Sequence, residues 1–176
     1  MQEELAQAVE RGVAESVTDG MSDRDKAWEL DKWLASQAAY DYDALPAVKG
    51  LGFSSTVDQR KEVFAEFPYN QTAYGVMVYG KGVCASYAQA YKALLDAAGV
   101  EAVVVVGETL EVPGAHAWNK VKMDGNWLMV DPTWSDGPGD SGLDTDKYFG
   151  LTDKESKRVD SWEWMVDTYL KAYDSN

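Results

Sequence analysis

The sequence predicts an α+β domain in which a helical half packs against an antiparallel sheet. Apolar residues recur at helical spacing through the first half of the chain, and strand-like segments follow at 102–106, 115–123 and 127–131. The dipeptide Asp124-Gly125 between the last two segments is a strong signal for a two-residue hairpin. Helices first and strands afterwards are typical of α+β folds. A chain of 176 residues, 45% of them apolar, suits one domain with one core.

Two helices are predicted within residues 1–39. The first carries an apolar stripe formed by Leu5, Ala8, Val9, Val13 and Val17, and Gly20 is its predicted stop. Ser22 and Asp25 resemble a capping box that opens the second helix. The stripe of that helix consists of Ala27, Leu30, Leu34 and Ala38. Both helices are interpreted as packing elements.

The segment from Tyr40 to Gly82 is irregular. Its pattern is interrupted by Pro46, Gly50, Gly52 and Pro68. Short helices are predicted near 57–67 and 72–79. A loop-rich stretch of this length inside one domain often lines a functional site.

The clearest predicted helix begins at Cys84. Its apolar positions are Tyr87, Ala88, Tyr91, Leu94, Leu95 and Ala98, and Gly99 stands where a left-handed cap belongs. The Val-rich segment 102–106 is predicted as a buried strand. A further helix is predicted at 161–173. The single domain, 1–176, is therefore divided into N-terminal helices (1–39), a core (about 40–151) and a C-terminal helical extension (152–176).

The formal net charge of −14 restricts the partners of the chain. A surface this acidic repels phosphate backbones and anionic lipids, so neither nucleic acid nor a membrane surface is an expected partner. No apolar run approaches the ~20 residues that span a bilayer, and MQEELAQAVERG lacks the pattern of a signal peptide. We therefore expect no membrane insertion, and the sequence does not indicate the oligomeric state.

Cys84 is the only cysteine, which excludes an internal disulfide and a zinc site built from several cysteines. It follows Gly80-Lys81-Gly82-Val83 and lies in the first turn of a helix. Free main-chain N–H groups and the positive end of the helix dipole favour the thiolate there. A structural cysteine is expected in the middle of a helix, on the apolar stripe. The position of Cys84 indicates a nucleophile.

The hairpin predicts that the only histidine, His116, lies beside Asp131. A two-residue turn at Asp124-Gly125 pairs Met123 with Asn126, and counting back pairs Trp118 with Asp131 and His116 with Thr133. His116 and Asp131 then become diagonal neighbours on one face, roughly 7–8 Å apart between Cα atoms. The predicted roles are Cys84 as nucleophile, His116 as base and Asp131 as the group that orients the imidazole.

Serine triads compete weakly with this interpretation. Ser86 and Ser135 are present, but neither stands in a Gly-x-Ser-x-Gly turn before a helix.

Three motifs give the chain a recognisable family pattern: Gly-x-Cys at a helix start (82–84), His-Ala-Trp-Asn in a strand (116–119) and Asp-Pro-Thr-Trp after the next strand (131–134). In this order they resemble the core of the transglutaminase-like superfamily. The resemblance covers about residues 22–151. It includes Tyr40-Asp41-Tyr42-Asp43, which is typical of bacterial members, and Tyr148-Phe149.

The resemblance implies a papain-like core, with the Cys helix packed on the His and Asp strands. It also implies acyl transfer from a peptide or protein amide through a thioester, without a metal or an organic cofactor. A cysteine peptidase or amidase on the same triad is the competing enzyme hypothesis. Two hypotheses without catalysis are less favoured. A surface binding module that retains the fold would have no reason to keep the intact Cys84, His116 and Asp131, and a carbohydrate-binding module needs exposed rows of aromatics, whereas most aromatics here have core-like spacing. Bacterial members are frequently exported, which implies an exported or cell-surface location, although a single unpaired cysteine fits either side of a membrane.

The residues that support the triad are less well defined. An oxyanion needs aimed donors, and the Cys84 N–H is one candidate. Animal transglutaminases use an upstream tryptophan as the other, but this chain has none between Trp33 and Cys84. The remaining candidates for substrate or oxyanion contacts are Tyr74, Tyr40, Tyr42, Trp118, Asn119 and Trp134. Packing is the competing role of the two tryptophans, and sheet pairing is that of Asn119.

The acidic residues between Asp136 and Asp146 raise the question of a calcium site, because animal members need that ion. The four carboxylates of this segment are Asp136, Asp140, Asp144 and Asp146. Their spacing does not match an EF-hand loop, and a solvated acidic loop is the preferred interpretation.

Overall fold

Helices precede the sheet along the chain in a computed structural model that describes residues 1–50, 56–109, 115–136, 145–156 and 158–162. The N-terminal helices are α1 (Gln2–Ser16), α2 (Asp23–Gln37), α3 (Leu45–Lys49) and α4 (Val57–Glu66). A π-helical turn (Gly75–Tyr79) leads to α5 (Cys84–Ala97), and the short helices α6 (Pro132–Ser135) and α7 (Thr145–Tyr148) follow later. The predicted capping box is present, because Asp25 N donates to Ser22 Oγ at 3.1 Å and Ser22 N donates to Asp25 Oδ2 at 3.4 Å.

The main sheet has five strands in the order β6-β5-β4-β3-β7, and all neighbours are antiparallel. These strands are β3 (Ala102–Thr109), β4 (Ala115–Met123), β5 (Asn126–Val130), β6 (Phe149–Leu151) and β7 (Arg158–Trp162). A separate parallel pair joins β1 (Ala39–Tyr40) to β2 (Lys81–Gly82). The mixed architecture with an antiparallel sheet confirms the predicted α+β class.

The β4–β5 hairpin has the predicted register. Met123 pairs with Asn126 across a two-residue turn in which Asp124 and Gly125 have φ values of 54° and 79°. Positive φ at both turn positions matches the right-handed twist of the two strands. The pairing ends at Asn119 and Val130, and the predicted pairs Trp118–Asp131 and His116–Thr133 do not form, because Asp131 leaves the sheet to cap α6 and Pro132 follows it.

The C-terminal prediction requires a correction. Residues 158–162 form β7 on the free edge of β3, whereas the sequence pattern predicted a helix beginning at Ser161. A run of five residues is too short for periodicity to distinguish a strand from a helix, so pairing with the β3 edge decided the conformation. The rest of the predicted helix lies outside the described residues.

Helix α5 is the centre of the core. It packs on α1 and α2 on one side and on β3 and β4 on the other, and its Tyr91 hydroxyl donates to Ala27 O at 2.8 Å. The fully buried side chains of this region include Leu30, Leu34, Tyr87, Tyr91, Leu94, Leu95, Val121 and Met123. Each buried leucine stabilises the fold by roughly 1.5–3 kcal/mol. The N-terminal residue of α5 is therefore attached to the best-packed element of the molecule.

None of the helices that the structure describes is both long enough and apolar enough to cross a lipid bilayer.

Candidate active site

Cys84 is the first residue of α5, and close packing around Gly82 and Ser86 holds it there. A Cβ on Gly82 would lie 2.5 Å from Ser86 Cβ and Oγ, so only glycine fits. The buried Ser86 hydroxyl donates to Thr72 O and accepts from Val76 N at 3.2 Å. These contacts attach the start of α5 to the preceding π-helical turn. The Cys84 side chain is partly exposed, and it lies at the end of the helix where the first N–H groups carry the positive end of the dipole.

Asn119 fixes the distance between α5 and β4. Its side chain is fully buried, and its Nδ2 donates to Ala88 O, one turn after Cys84, at 2.9 Å. Ala88 and Ala117 pack together in a small cluster beside Cys84. Asn119, which the sequence suggested as a substrate contact, therefore faces the helix, where it attaches the strand of His116 to the helix of Cys84.

His116 and Asp131 are in contact, as the hairpin register predicted. His116 Nε2 lies 2.8 Å from Asp131 Oδ2, and Asp131 is fully buried. Asp131 is also the N-cap of α6, where Oδ1 accepts from Trp134 N at 3.3 Å. The Asp131 N–H donates to Tyr148 O at 3.0 Å. Both the main chain and the carboxylate of Asp131 are thus held in place.

The second nitrogen of the imidazole is available to the thiol. Because Nε2 faces Asp131, Nδ1 is the imidazole nitrogen left to bond the Cys84 thiol. The order Cys84–His116–Asp131 is the arrangement in which an imidazole can exchange a proton with a thiol while a carboxylate stabilises its charge.

The electrostatics favour a charged pair. Burial raises the pKa of the Cys84 thiol, but the hydrogen bond and charge of His116 outweigh burial, and the pKa ends below its usual value. Burial lowers the pKa of His116, but the charge of Asp131 and the hydrogen bonds to Asp131 and Cys84 raise it above the ordinary range. Both shifts favour a thiolate beside an imidazolium over the neutral pair.

Two tryptophans flank the imidazole. The Trp118 ring stacks on His116 at 5.9 Å between centroids, and the Trp134 ring lies 5.4 Å away on a tilted plane. Indole faces favour a nearby cation at such distances. Trp118 is fully buried and packs with Val105 and Met129, so it supports the ring from the core. Trp134 is partly exposed and is the one of the two that a substrate could contact.

Among the three candidate tyrosines, Tyr40 is the one beside the thiol. Strand β1 pairs Tyr40 with Gly82, two residues before Cys84. Burial raises the pKa of Tyr40 well above its ordinary value, and the nearby charge of Cys84 adds to the rise, so the hydroxyl keeps its proton. Tyr42 packs on the Tyr40 ring at 5.0 Å and is mostly exposed.

Tyr74 serves a different part of the molecule. Its hydroxyl donates to Glu4 Oε2 at 2.7 Å, and its ring packs between Tyr69 and Tyr79. The structure therefore brings Tyr40 to the candidate nucleophile and uses Tyr74 to attach α1.

Two polar pairs at the site were not predicted. Tyr87 Oη donates to Asp136 Oδ2 at 2.6 Å, and burial raises the pKa of Asp136. Ser135 Oγ lies 2.7 Å from Oδ2 of the fully buried Asp31. The sequence pattern could have predicted that Asp31 is buried, because it lies four residues after Ala27 and one after Leu30, on the apolar stripe of α2.

The described part of the chain contains no group of three or more His, Cys, Asp or Glu side chains arranged to hold a metal ion. Asp140 and Asp144 of the predicted acidic loop lie outside the described residues.

Residues 11–132 match a family model described as the transglutaminase-like superfamily. A curated relative, the kyphoscoliosis peptidase of Mus musculus, is 25% identical over 143 residues, which cover 73% of this chain and 19% of the relative. Among solved structures, a protein described as a TGase superposes with a TM-score of 0.57 at 20% identity, over 83% of this chain and 34% of that chain. A proposed cysteine protease from Cytophaga hutchinsonii superposes with a TM-score of 0.50 at 17% identity, over 73% of this chain and 37% of the other.

The structural likenesses show a common fold. This chain spans 19% of the curated relative and 34–37% of the two solved chains.

Proposed function

Because the chain belongs to the transglutaminase-like superfamily, we propose that it is a thiol enzyme that transfers the acyl group of a peptide or protein amide through a thioester on Cys84. The observation that carries the proposal is the hydrogen-bonded series Cys84–His116–Asp131, in which the thiol pKa is lowered and the imidazole pKa is raised. A cysteine that only packs in the core would gain nothing from a charged imidazole beside its thiol.

The first half of the reaction forms the thioester. The Cys84 thiolate attacks the carbonyl carbon of the amide, and the C=O electrons move to the oxygen. His116, charged at this stage, gives its Nδ1 proton to the leaving nitrogen as the C–N bond breaks. Asp131 keeps its hydrogen bond to Nε2 throughout, so the ring stays aimed at the reacting atoms.

The developing oxyanion needs two donors. The main-chain N–H of Cys84 is one, because the first N–H groups of a helix have no partner within the helix. We assign the Tyr40 hydroxyl as the other. It stays protonated beside the thiol, whereas the Tyr74 hydroxyl is bonded to Glu4.

The second half of the reaction releases the acyl group. His116, now neutral, takes a proton from the incoming nucleophile while that nucleophile attacks the thioester carbon and the thiolate leaves. An amine acceptor gives a new amide, and water gives a carboxylic acid. The second outcome would make the protein a peptidase or amidase, and the similarity to one protein named a peptidase and to another named a protease favours testing it.

The first experiment needs no substrate: the rate of Cys84 alkylation by iodoacetamide between pH 4 and 10. We expect a midpoint well below the ~8.5 of an ordinary thiol. The His116→Ala variant is the control and should move the midpoint towards the ordinary value. A wild-type rate that rises only above pH 8 would refute the proposal and favour a non-catalytic binding module.

The second experiment identifies the acceptor. Incubation with a glutamine-containing peptide and a fluorescent primary amine should label the peptide if an amine is accepted, and should yield two shorter fragments or a free acid if water is. The Cys84→Ala variant should do neither while it retains the wild-type circular dichroism spectrum. Activity in that variant would contradict the assignment of the nucleophile.

A further inference from the structure

Asp31 is a buried acid for which the reaction above has no use. Its side chain on α2 is 0% exposed, and Oδ1 has no hydrogen-bond partner within the described residues. Over the same part of the chain, no lysine, arginine or histidine forms an ion pair with it. A buried carboxylate without a cation is costly, and such a group usually takes up a proton instead.

The hydrogen bond of the Asp31 carboxyl leads towards the candidate triad. Ser135 Oγ lies 2.7 Å from Asp31 Oδ2 and 3.1 Å from the main-chain oxygen of Asp131. Ser135 is itself fully buried. The hydroxyl therefore stands between the side chain of Asp31 and the backbone of Asp131.

The hydrogen count favours a neutral Asp31. A hydroxyl has one proton to donate and can also accept. If Asp31 is ionised, the Ser135 proton must point to it, and none remains for Asp131 O. If Asp31 is neutral, it donates to Ser135 Oγ, and the Ser135 proton goes to Asp131 O. Only the neutral acid satisfies both short contacts.

Neither of the two titratable groups that interact with Asp31 stabilises its ionised form. Asp131, at the β5–α6 junction, carries a negative charge and raises the pKa of Asp31. Tyr91, on α5, has a pKa raised by burial and by Asp31, so it stays neutral. Burial is the largest influence on Asp31 and raises its pKa to about 7, against the opposing effect of the Ser135 hydrogen bond.

The oxygen that Ser135 contacts belongs to the turn that carries the candidate catalytic carboxylate. Asp131 O also accepts from Trp134 N at 3.1 Å and from Ser135 N at 3.0 Å, which closes the first turn of α6. From the same residue, Oδ2 reaches His116 Nε2 at 2.8 Å. A rotation of this turn would move the carboxylate away from the imidazole.

We propose that Asp31 is a positioning residue for the triad: as a neutral acid it holds the Ser135 hydroxyl on the Asp131 carbonyl, and so fixes the direction of the Asp131 carboxylate towards His116. This inference rests on the proposed function, because it assigns Asp31 a role in orienting the proposed triad.

The test is the pH dependence of Cys84 alkylation by iodoacetamide in four proteins: wild type, Asp31→Asn, Asp31→Ala and Ser135→Ala. The carboxamide of Asp31→Asn can still donate to Ser135, so its midpoint should stay at the wild-type value. Asp31→Ala removes the group that donates to Ser135 Oγ, and Ser135→Ala removes the hydroxyl that connects Asp31 to the Asp131 carbonyl. Both should move the midpoint upwards by about one pH unit, which is about a tenfold lower rate below the midpoint. A fold defect alone would lower the unfolding temperature without moving this midpoint.

Each result decides a point. If Asp31→Asn shifts as far as Asp31→Ala, the negative charge of Asp31 is what matters, and the neutral donor is refuted. If Ser135→Ala, which keeps the helix, has the wild-type midpoint, the link is refuted even where Asp31→Ala fails to fold. A wild-type midpoint near that of an ordinary thiol would refute the proposed function and this inference with it. A depressed wild-type midpoint that no variant changes would refute the inference alone.

Discussion

Replacing Asp31 by asparagine should make the protein's stability less sensitive to pH. The folded pKa of Asp31 is about 7, against 3.8 as the ordinary value, and burial is the main cause. An acid whose pKa is raised by folding binds its proton more tightly in the native state. Its contribution is fully present below pH 3.8 and is lost as pH rises through about 7. Asparagine occupies a similar volume and does not titrate.

The size of the effect follows from the two pKa values. A difference of about three units corresponds to a maximum of about 4 kcal/mol, since one unit is about 1.36 kcal/mol. Between pH 5 and 8 the wild type should lose roughly 2–3 kcal/mol relative to the Asp31→Asn variant. Urea unfolding of both proteins at several pH values, followed by circular dichroism, measures this, because all other titrating groups cancel in the difference. A difference that does not change with pH, or a wild type that gains relative to the variant, would refute the argument that burial keeps Asp31 neutral.

Three further predictions concern the site. Asp131→Asn keeps an acceptor for the cap of α6 but loses the charge that stabilises the imidazolium, so the transfer rate should fall by about three orders of magnitude or more in the amine-labelling assay; a loss below tenfold would contradict its role. Tyr40→Phe should lower kcat about a hundredfold and leave the alkylation midpoint unchanged, and an unchanged kcat would remove the hydroxyl from the oxyanion site. Gly82→Ala should destabilise the fold by about 1–3 kcal/mol in urea unfolding, because its Cβ would lie 2.5 Å from Ser86. The control is Gly20→Ala, whose added Cβ would have no atom within 4 Å and which should lose about 1 kcal/mol of stability because of its positive φ alone. Equal losses of stability in the two variants would show that the short distance between Gly82 and Ser86 does not matter.

The candidate site combines three elements that are distant in sequence. The nucleophile comes from a helix end, the base from a strand and the carboxylate from the junction after the next strand. Asn119 joins the strand of His116 to the helix of Cys84 through a hydrogen bond to Ala88 O. Ser135 lies between the junction that carries Asp131 and the N-terminal helix α2. Each of these connections is a buried hydrogen bond. Removing one partner by mutation leaves the other unsatisfied, which should lower the free energy of unfolding by about 1–3 kcal/mol.

The parts of this protein that the sequence determined are those encoded locally. A period of three to four residues places Cys84 at the start of a helix, and the alternation of a strand together with a two-residue turn places His116 beside Asp131. Each of these patterns extends over fewer than ~20 residues and depends on backbone geometry that neighbouring residues impose on one another.

The tertiary structure alone decided which distant groups meet. Tyr40 lies beside the start of α5 because β1 pairs with β2. Strand β7 forms because the edge of β3 is open to it, and Asp31 meets Ser135 because α2 packs on α6. Nothing near these residues in the chain specifies their partners. Their contacts are stabilised by burial and hydrogen bonding that exist only after the whole domain has assembled, so no local pattern could have predicted them.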